Sequence, residues 1–111
     1  MPAGSQRQDL VPVDIISGVP YYVYICTNRL NTVLYTGVTR DLVRRMEEHK
    51  LGVGSAFASK YRVDRLVYYE VADEVESGIE REKRIKGGSR KRKMDLIDAF
   101  NPTWRDLSYE L

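Results

Sequence analysis

Between Tyr24 and His49 the chain carries two phenols, a guanidinium and an imidazole: Tyr24, Tyr35, Arg45 and His49. Phenol and imidazole groups transfer protons, and a guanidinium is a planar fork that binds anions. Such a set suits proton transfer beside an anionic substrate, provided that the backbone carries all four groups to one side. Residues 21–26 and 33–38 are rich in aromatic and β-branched types and flank a polar segment with two asparagines, the pattern of a β-hairpin. Pairing Tyr24 with Tyr35 sets Cys26 opposite Val33 and Tyr22 opposite Gly37, with 27–32 as the connection. Alternation along the strands then puts both tyrosines on one face. After Gly37 the pattern becomes helical: Thr39 is a candidate cap for a helix over 41–50, with Leu42 and Met46 as its apolar stripe. Arg45 and His49, four apart, share a face at the edge of that stripe.

Farther on, Gly52, Gly54 and Ser55 predict a loop over 51–59. Lys60, Tyr61 and Arg62 follow it, placed either to touch a substrate backbone or simply to belong to a mobile surface loop. Alternation predicts a third strand over 65–71. Asp73 and Glu76 stand at the capping-box spacing, so a second helix is expected from there to about Lys86. Val75, Ile79 and Ile85 form its apolar stripe, and Glu82 falls inside it. A carboxylate on a core face is costly unless it is paired. The candidate partners are a cation such as Arg45 or a metal ion, and the residues by themselves favour the structural ion pair. The pair Gly87 and Gly88 breaks this helix. Ser89 is placed to cap another, with Met94, Ile97 and Phe100 on its apolar face and Pro102 as its stop, after which Trp104 and Leu107 fold back on the core. The expected fold is α+β: a small three-stranded antiparallel sheet, a hairpin plus one strand, flanked by helices in the order β-β-α-β-α-α.

With 111 residues, 42% of them hydrophobic, the chain makes one domain with one core. Residues 1–18, with Pro, Gly, Ser and Gln and no sustained periodicity, read as a flexible tail before a domain over 19–108. Val11, Val13, Ile15 and Ile16 in that tail suit docking or an edge strand. The net charge is only +2, but seven of the eleven residues 83–93 are basic: Lys83, Arg84, Lys86, Arg90, Lys91, Arg92 and Lys93. That cluster is a candidate phosphate footprint as well as an ordinary solvated helix surface. The single cysteine, Cys26, cannot form an internal disulfide and suits a reducing compartment. No signal-peptide pattern and no run near the roughly 20 apolar residues of a membrane span is present, so a soluble cytoplasmic protein is expected.

Taken together, these motifs resemble the GIY-YIG nuclease family, in its small single-domain branch. Tyr22-Val23-Tyr24 corresponds to the first element of the family motif and Tyr35-Thr36-Gly37 to the second, with Tyr22, Val23 and Thr36 replacing a glycine and two isoleucines. Arg45 and His49 lie eight and twelve positions after Gly37, where the family places its arginine and histidine. The resemblance continues through Tyr68-Tyr69-Glu70, Arg81-Glu82-Lys83 and Asn101-Pro102-Thr103-Trp104. It implies metal-assisted hydrolysis of a phosphodiester in DNA, with Mg²⁺ (or Mn²⁺) held by Glu82. In that reading Arg45 grips the phosphate, and Tyr24 takes a proton from water. Tyr35 orients that water or the phosphate, and His49 hydrogen-bonds Tyr24 or relays its proton. Gly37, Lys60, Lys83, Lys86, Arg90, Lys91, Arg92 and Lys93 are its candidate nucleic-acid contacts. Asn101 either joins them or caps the last helix before Pro102. The competing function is an inactive nucleic-acid-binding module built on the same fold and the same basic cluster. A protein-interaction adaptor would leave that cluster unexplained. Without a second reading domain, recognition of DNA structure (a flap, nick, branch or single strand) or low selectivity is expected over recognition of a long sequence.

Overall fold

The computed structural model describes residues 20–111, so the expected tail, with Val11, Val13, Ile15 and Ile16, lies outside the described residues. Strands β1 (Tyr21–Thr27), β2 (Leu34–Thr39) and β3 (Arg65–Ala72) form one antiparallel sheet in the order β2-β1-β3. Helices α1 (Leu42–Leu51) and α2 (Ala56–Tyr61) separate β2 from β3, and α3 (Val75–Lys86) and α4 (Arg90–Phe100) follow. A short 3-10 turn, Leu107–Glu110, closes the chain. The expected α+β architecture and element order are therefore present, with α2 as an addition.

β1 is central and buried on both faces, which fits its nearly unbroken apolar run. On one face Tyr24 and Cys26 pack with Leu42 and Met46 of α1, Ala58 of α2 and Leu107. On the other, Val23 and Ile25 pack with Val67 and Tyr68 of β3, Ile85 of α3 and Ile97 of α4. The period-2 alternation of one strand thus feeds two cores.

The hairpin register differs from the expected one by two residues: Tyr24 lies opposite Gly37, Cys26 opposite Tyr35 and Tyr22 opposite Thr39. The cause is the connection. Asn28 Oδ1 accepts hydrogen bonds from the backbone N–H of Thr32 (2.8 Å) and Val33 (3.0 Å), and Thr27 Oγ1 donates to the Val33 carbonyl at 2.8 Å. With Asn31 in the left-handed region at φ 60°, this network makes 28–33 the loop. Because the slip is even, both tyrosines keep their common face.

Two helix starts also differ. The cap of α1 is Asp41, whose side chain accepts from Arg44 N, while Thr39 Oγ1 accepts from Asp41 N one step earlier. Extension of β3 to Ala72 moves the start of α3 to Val75, with Glu74 at the cap and no side-chain cap bond, so the Asp73 capping box does not form. Ile79 is 39% exposed, and Gly78 takes its place against the sheet, where a Cβ would lie 3.3 Å from Tyr21 and 3.5 Å from Val38. Ser89 caps α4 as expected, accepting from Arg92 N. α2 replaces part of the expected loop. Ser55 accepts from Ala58 N, and Ala58 is the buried residue of this helix, too little apolar periodicity to announce it.

Asn101 takes the cap alternative. It is fully buried, and its Nδ2 donates to the Val67 carbonyl (3.1 Å) and the Arg105 carbonyl (2.8 Å). The register of β3 against β1 steps from Tyr68 to Leu66 across a bulge, leaving Val67 without a cross-strand partner in the pairing. Asn101 therefore completes the sheet edge, and its amide is taken up by these two carbonyls. Asn101→Ala should lower the urea midpoint of unfolding, at a cost of about 1–3 kcal/mol for each carbonyl it orphans. An unchanged midpoint would mean that water replaces the amide.

Candidate active site

On the α1 face of the sheet, β1 supplies Tyr24, β2 supplies Tyr35, and one face of α1 supplies Arg45 and His49. Tyr24 Oη lies 3.0 Å from His49 Nε2. The ring centres of Tyr24 and Tyr35 are 6.3 Å apart, those of Tyr24 and His49 5.7 Å, and those of Tyr35 and His49 5.4 Å. All four groups predicted from spacing are therefore brought together, in spite of the register difference. Tyr24 is fully buried and His49 nearly so, whereas Tyr35 and Arg45 are half-buried.

Gly37, a candidate nucleic-acid contact in the sequence, lies inside the cluster itself. It is buried beneath the Tyr24 ring, and a Cβ there would stand 2.5 Å from Tyr24 Oη. The missing side chain is the seat of the phenol.

Electrostatics distinguish the groups. Burial pushes the Tyr24 phenol well above its ordinary pKa, with the nearby Cys26 adding to this and the Arg45 guanidinium opposing it. Burial lowers the pKa of His49, and the charge of Arg45 lowers it further, against the pull of Glu48 and Asp64. At neutral pH the pair is thus a protonated phenol beside a neutral imidazole. Nδ1 of His49 is buried without a hydrogen-bond partner, and the backbone at Gly54 passes so near that a Cβ there would lie 3.5 Å from it. A proton that the unfolded chain binds near pH 6.5 is resisted by the folded one. His49 therefore contributes stability above that pH, and the contribution is lost as pH falls through its lowered folded pKa. Melting temperatures should drop on going from pH 7.5 to 5.5, and by less in His49→Gln. Equal drops in the two proteins would exclude the histidine as the source.

Arg45 pairs with Glu48 at 3.1 Å, and Arg44 reaches the same carboxylate at 3.5 Å. The expected alternative of an Arg45–Glu82 pair is not what forms. Arg45, Arg44, Arg40 and Glu48 line one side of a cleft of about 580 Å³ that Val75 and Ile79 of α3 line on the other. Glu82 is three residues beyond Ile79 on α3, hence about one turn along that helix. Its side chain is 13% exposed and its partner is Lys86, at 3.3 Å, whose own side chain is 62% exposed. Among the described residues no cluster of three or more His, Cys, Asp or Glu side chains could hold a metal ion. One shielded carboxylate tied only to a solvated lysine nevertheless fits Mg²⁺, which keeps several waters and borrows oxygens from a phosphate.

The basic cluster covers the end of α3 and the start of α4. Lys83, Arg84, Lys86, Arg90, Lys91 and Arg92 are exposed and Lys93 is half-buried. Lys91 is held by Asp95 at 2.9 Å, and Arg90 donates to the Asn31 carbonyl at 3.2 Å. Lys60 is exposed on α2. Sequence reasoning missed Arg40 and Arg44 in the cleft, although Arg44, four residues before Glu48 on the same helix, was a usable signal. It also missed the ion pair of Arg81 with Glu70, at 2.7 Å, which takes a hydrogen bond from Tyr68 as well. Strand and helix meet there, and no local pattern announces it.

A hairpin and the helix after it thus gather two tyrosines, an arginine and a histidine over a glycine. The GIY-YIG catalytic domain model matches residues 20–95, and the chain belongs to that family. It is 35% identical over 77 residues to a UPF0213 protein of Staphylococcus saprophyticus, covering 69% of this chain and 93% of that one. A UPF0213 protein of Syntrophus aciditrophicus is 37% identical over 79 residues, 68% of this chain and 87% of that one. The solution structure of a UPF0213 protein from Bacillus halodurans aligns with a TM-score of 0.45 at 31% identity, covering 72% of this chain and 84% of that one. Members of the GIY-YIG family are generally endonucleases that bind nucleic acid and use divalent metals.

Proposed function

We propose that this chain is a divalent-metal-dependent endonuclease that hydrolyses phosphodiester bonds in DNA and is structure-selective or only weakly sequence-selective. The observation that carries this reading is the Tyr24–His49 hydrogen bond, set beside Tyr35 and the Arg45 guanidinium. Neutral His49 has an imidazole lone pair with which to take a proton. Tyr24 accepts a proton from the attacking water as its own passes to His49 Nε2, so no free phenolate has to persist in a buried site. The water oxygen forms the new bond to phosphorus, the bond to the departing ester oxygen breaks, and that oxygen takes a proton from solvent. Tyr24 has no exposed surface, and the half-buried Tyr35 and Arg45 stand between it and solvent as the groups nearest to a substrate. Arg45 is suited to hold the non-bridging oxygens through its planar fork. Glu82 would hold Mg²⁺ or Mn²⁺, which when bound polarises the phosphate and neutralises the departing oxygen. A cytoplasmic setting goes with this reading, since Cys26 is buried and free.

The test is cleavage of labelled single-stranded, duplex and branched DNA with Mg²⁺ or Mn²⁺, comparing the native protein with Glu82→Ala. Metal-dependent cutting by the native protein, lost in the variant with its fold intact, is the expected result. Salt-sensitive binding without cutting on any substrate would replace this reading by the inactive binding module, whose support is the complete burial of Tyr24.

A further inference from the structure

The catalytic cluster does not end at Tyr35. The Phe57 ring lies 6.1 Å from that of Tyr35 with 28° between their planes, and Tyr61 follows Phe57 at 4.7 Å. His49, Tyr35, Phe57 and Tyr61 thus form a continuous series of rings from the buried hydrogen-bonded pair to solvent. Its outer members are open: Phe57 is 46% exposed and Tyr61 42%. They are four residues apart on α2 and so share a face, while Ala58 anchors the helix to the core. The Lys60 ammonium stands 5.3 Å from the Tyr61 ring centre, which places a cation at the end of the series. Two exposed aromatic rings on a helix of six residues leave apolar surface that none of the described residues covers, and such surface marks a binding site when it adjoins a functional one.

We propose that Phe57 and Tyr61 are a stacking platform for an unpaired nucleobase beside the scissile phosphate, with Lys60 meeting the adjoining backbone. The inference rests on the nuclease reading for the position of that phosphate. A nucleobase fits the observations because it offers a flat π-face to rings that run out of the site, and because its own backbone charge meets the lysine. A base inside a duplex has both faces covered by its neighbours and cannot use the platform. The platform therefore makes α2 the element that favours single-stranded segments, flaps and frayed ends.

Binding without metal tests this apart from catalysis. A DNA single strand and the matching duplex, each carrying 2-aminopurine at successive positions, are titrated in EDTA with the native protein, Phe57→Ala, Phe57→Leu, Phe57→Tyr and Tyr61→Ala. The native protein should change the 2-aminopurine fluorescence at one or two adjacent positions of the single strand. Phe57→Ala, Phe57→Leu and Tyr61→Ala should each weaken single-strand binding by about tenfold, with duplex binding little changed, and Phe57→Tyr should restore it. Phe57→Leu keeps apolar packing on Tyr35 and removes only the π-face. Native-like single-strand binding by that variant would overturn the proposal, as would equal losses on single strand and duplex. Either result leaves the nuclease reading standing, because cleavage is not the readout. Absence of metal-dependent cleavage with the fluorescence pattern intact would remove the nuclease and keep the platform.

Discussion

Tyr24→Phe is expected to lower cleavage by about 10²–10⁴-fold, the range for loss of a positioned proton-transfer group. The substitution removes one oxygen and keeps the ring, so the packing of Tyr24 over Gly37 and beside Tyr35 survives. What is lost is the hydroxyl that stands 3.0 Å from His49 Nε2. The imidazole then has both nitrogens without partners in a buried place, since Nδ1 already has none. Stability should therefore fall by about 1–3 kcal/mol, which a urea titration at pH 7.5 will read while the fold persists. Tyr35→Phe should cost less activity, because in the proposed mechanism its hydroxyl orients and does not carry the proton. Cleavage that survives in Tyr24→Phe and vanishes in Tyr35→Phe would reassign the base to the more exposed tyrosine.

Gly37→Ala should be the most damaging single methyl in the domain. Its Cβ would stand 2.5 Å from Tyr24 Oη, 2.6 Å from Cζ and 2.8 Å from Cε1. The ring is fully buried between β2 and α1, so it has no open direction in which to retreat. Space, not backbone conformation, is the reason for the glycine: among the described residues the glycine with positive φ is Gly52. Overpacking of this kind costs about 1–3 kcal/mol, and the displaced phenol must also leave His49. The single histidine of the chain gives one set of imidazole NMR signals, so the broken hydrogen bond has an unambiguous reporter. Native-like imidazole shifts together with native-like cleavage would show that the hairpin yields where the ring cannot.

The hairpin, the polar connection and the helix after it were legible because each depends on local residue types. The register was not, because it is set by the Asn28 side chain closing on Thr32 and Val33, a choice among loops of similar composition. The site survived that error for a physical reason: a slip of two residues leaves every side chain on its original face. Asn101 was ambiguous in the sequence because its amide is needed by a bulge at Val67, more than 30 residues away. α2 was hidden because a helix that buries only Ala58 shows no apolar stripe.

By itself the sequence determined the α+β class, the element order apart from α2, and which four side chains meet at the site. Strand alternation and helical periodicity are local rules, and Tyr24, Tyr35, Arg45 and His49 obey them. Only the tertiary structure decided how those groups differ from one another. Burial holds the Tyr24 proton and keeps His49 neutral, and the cleft sets Arg45 across from α3 while Glu82 pairs with Lys86. Desolvation and charge pairing depend on what every other element places around a group, and no spacing within the chain encodes that directly.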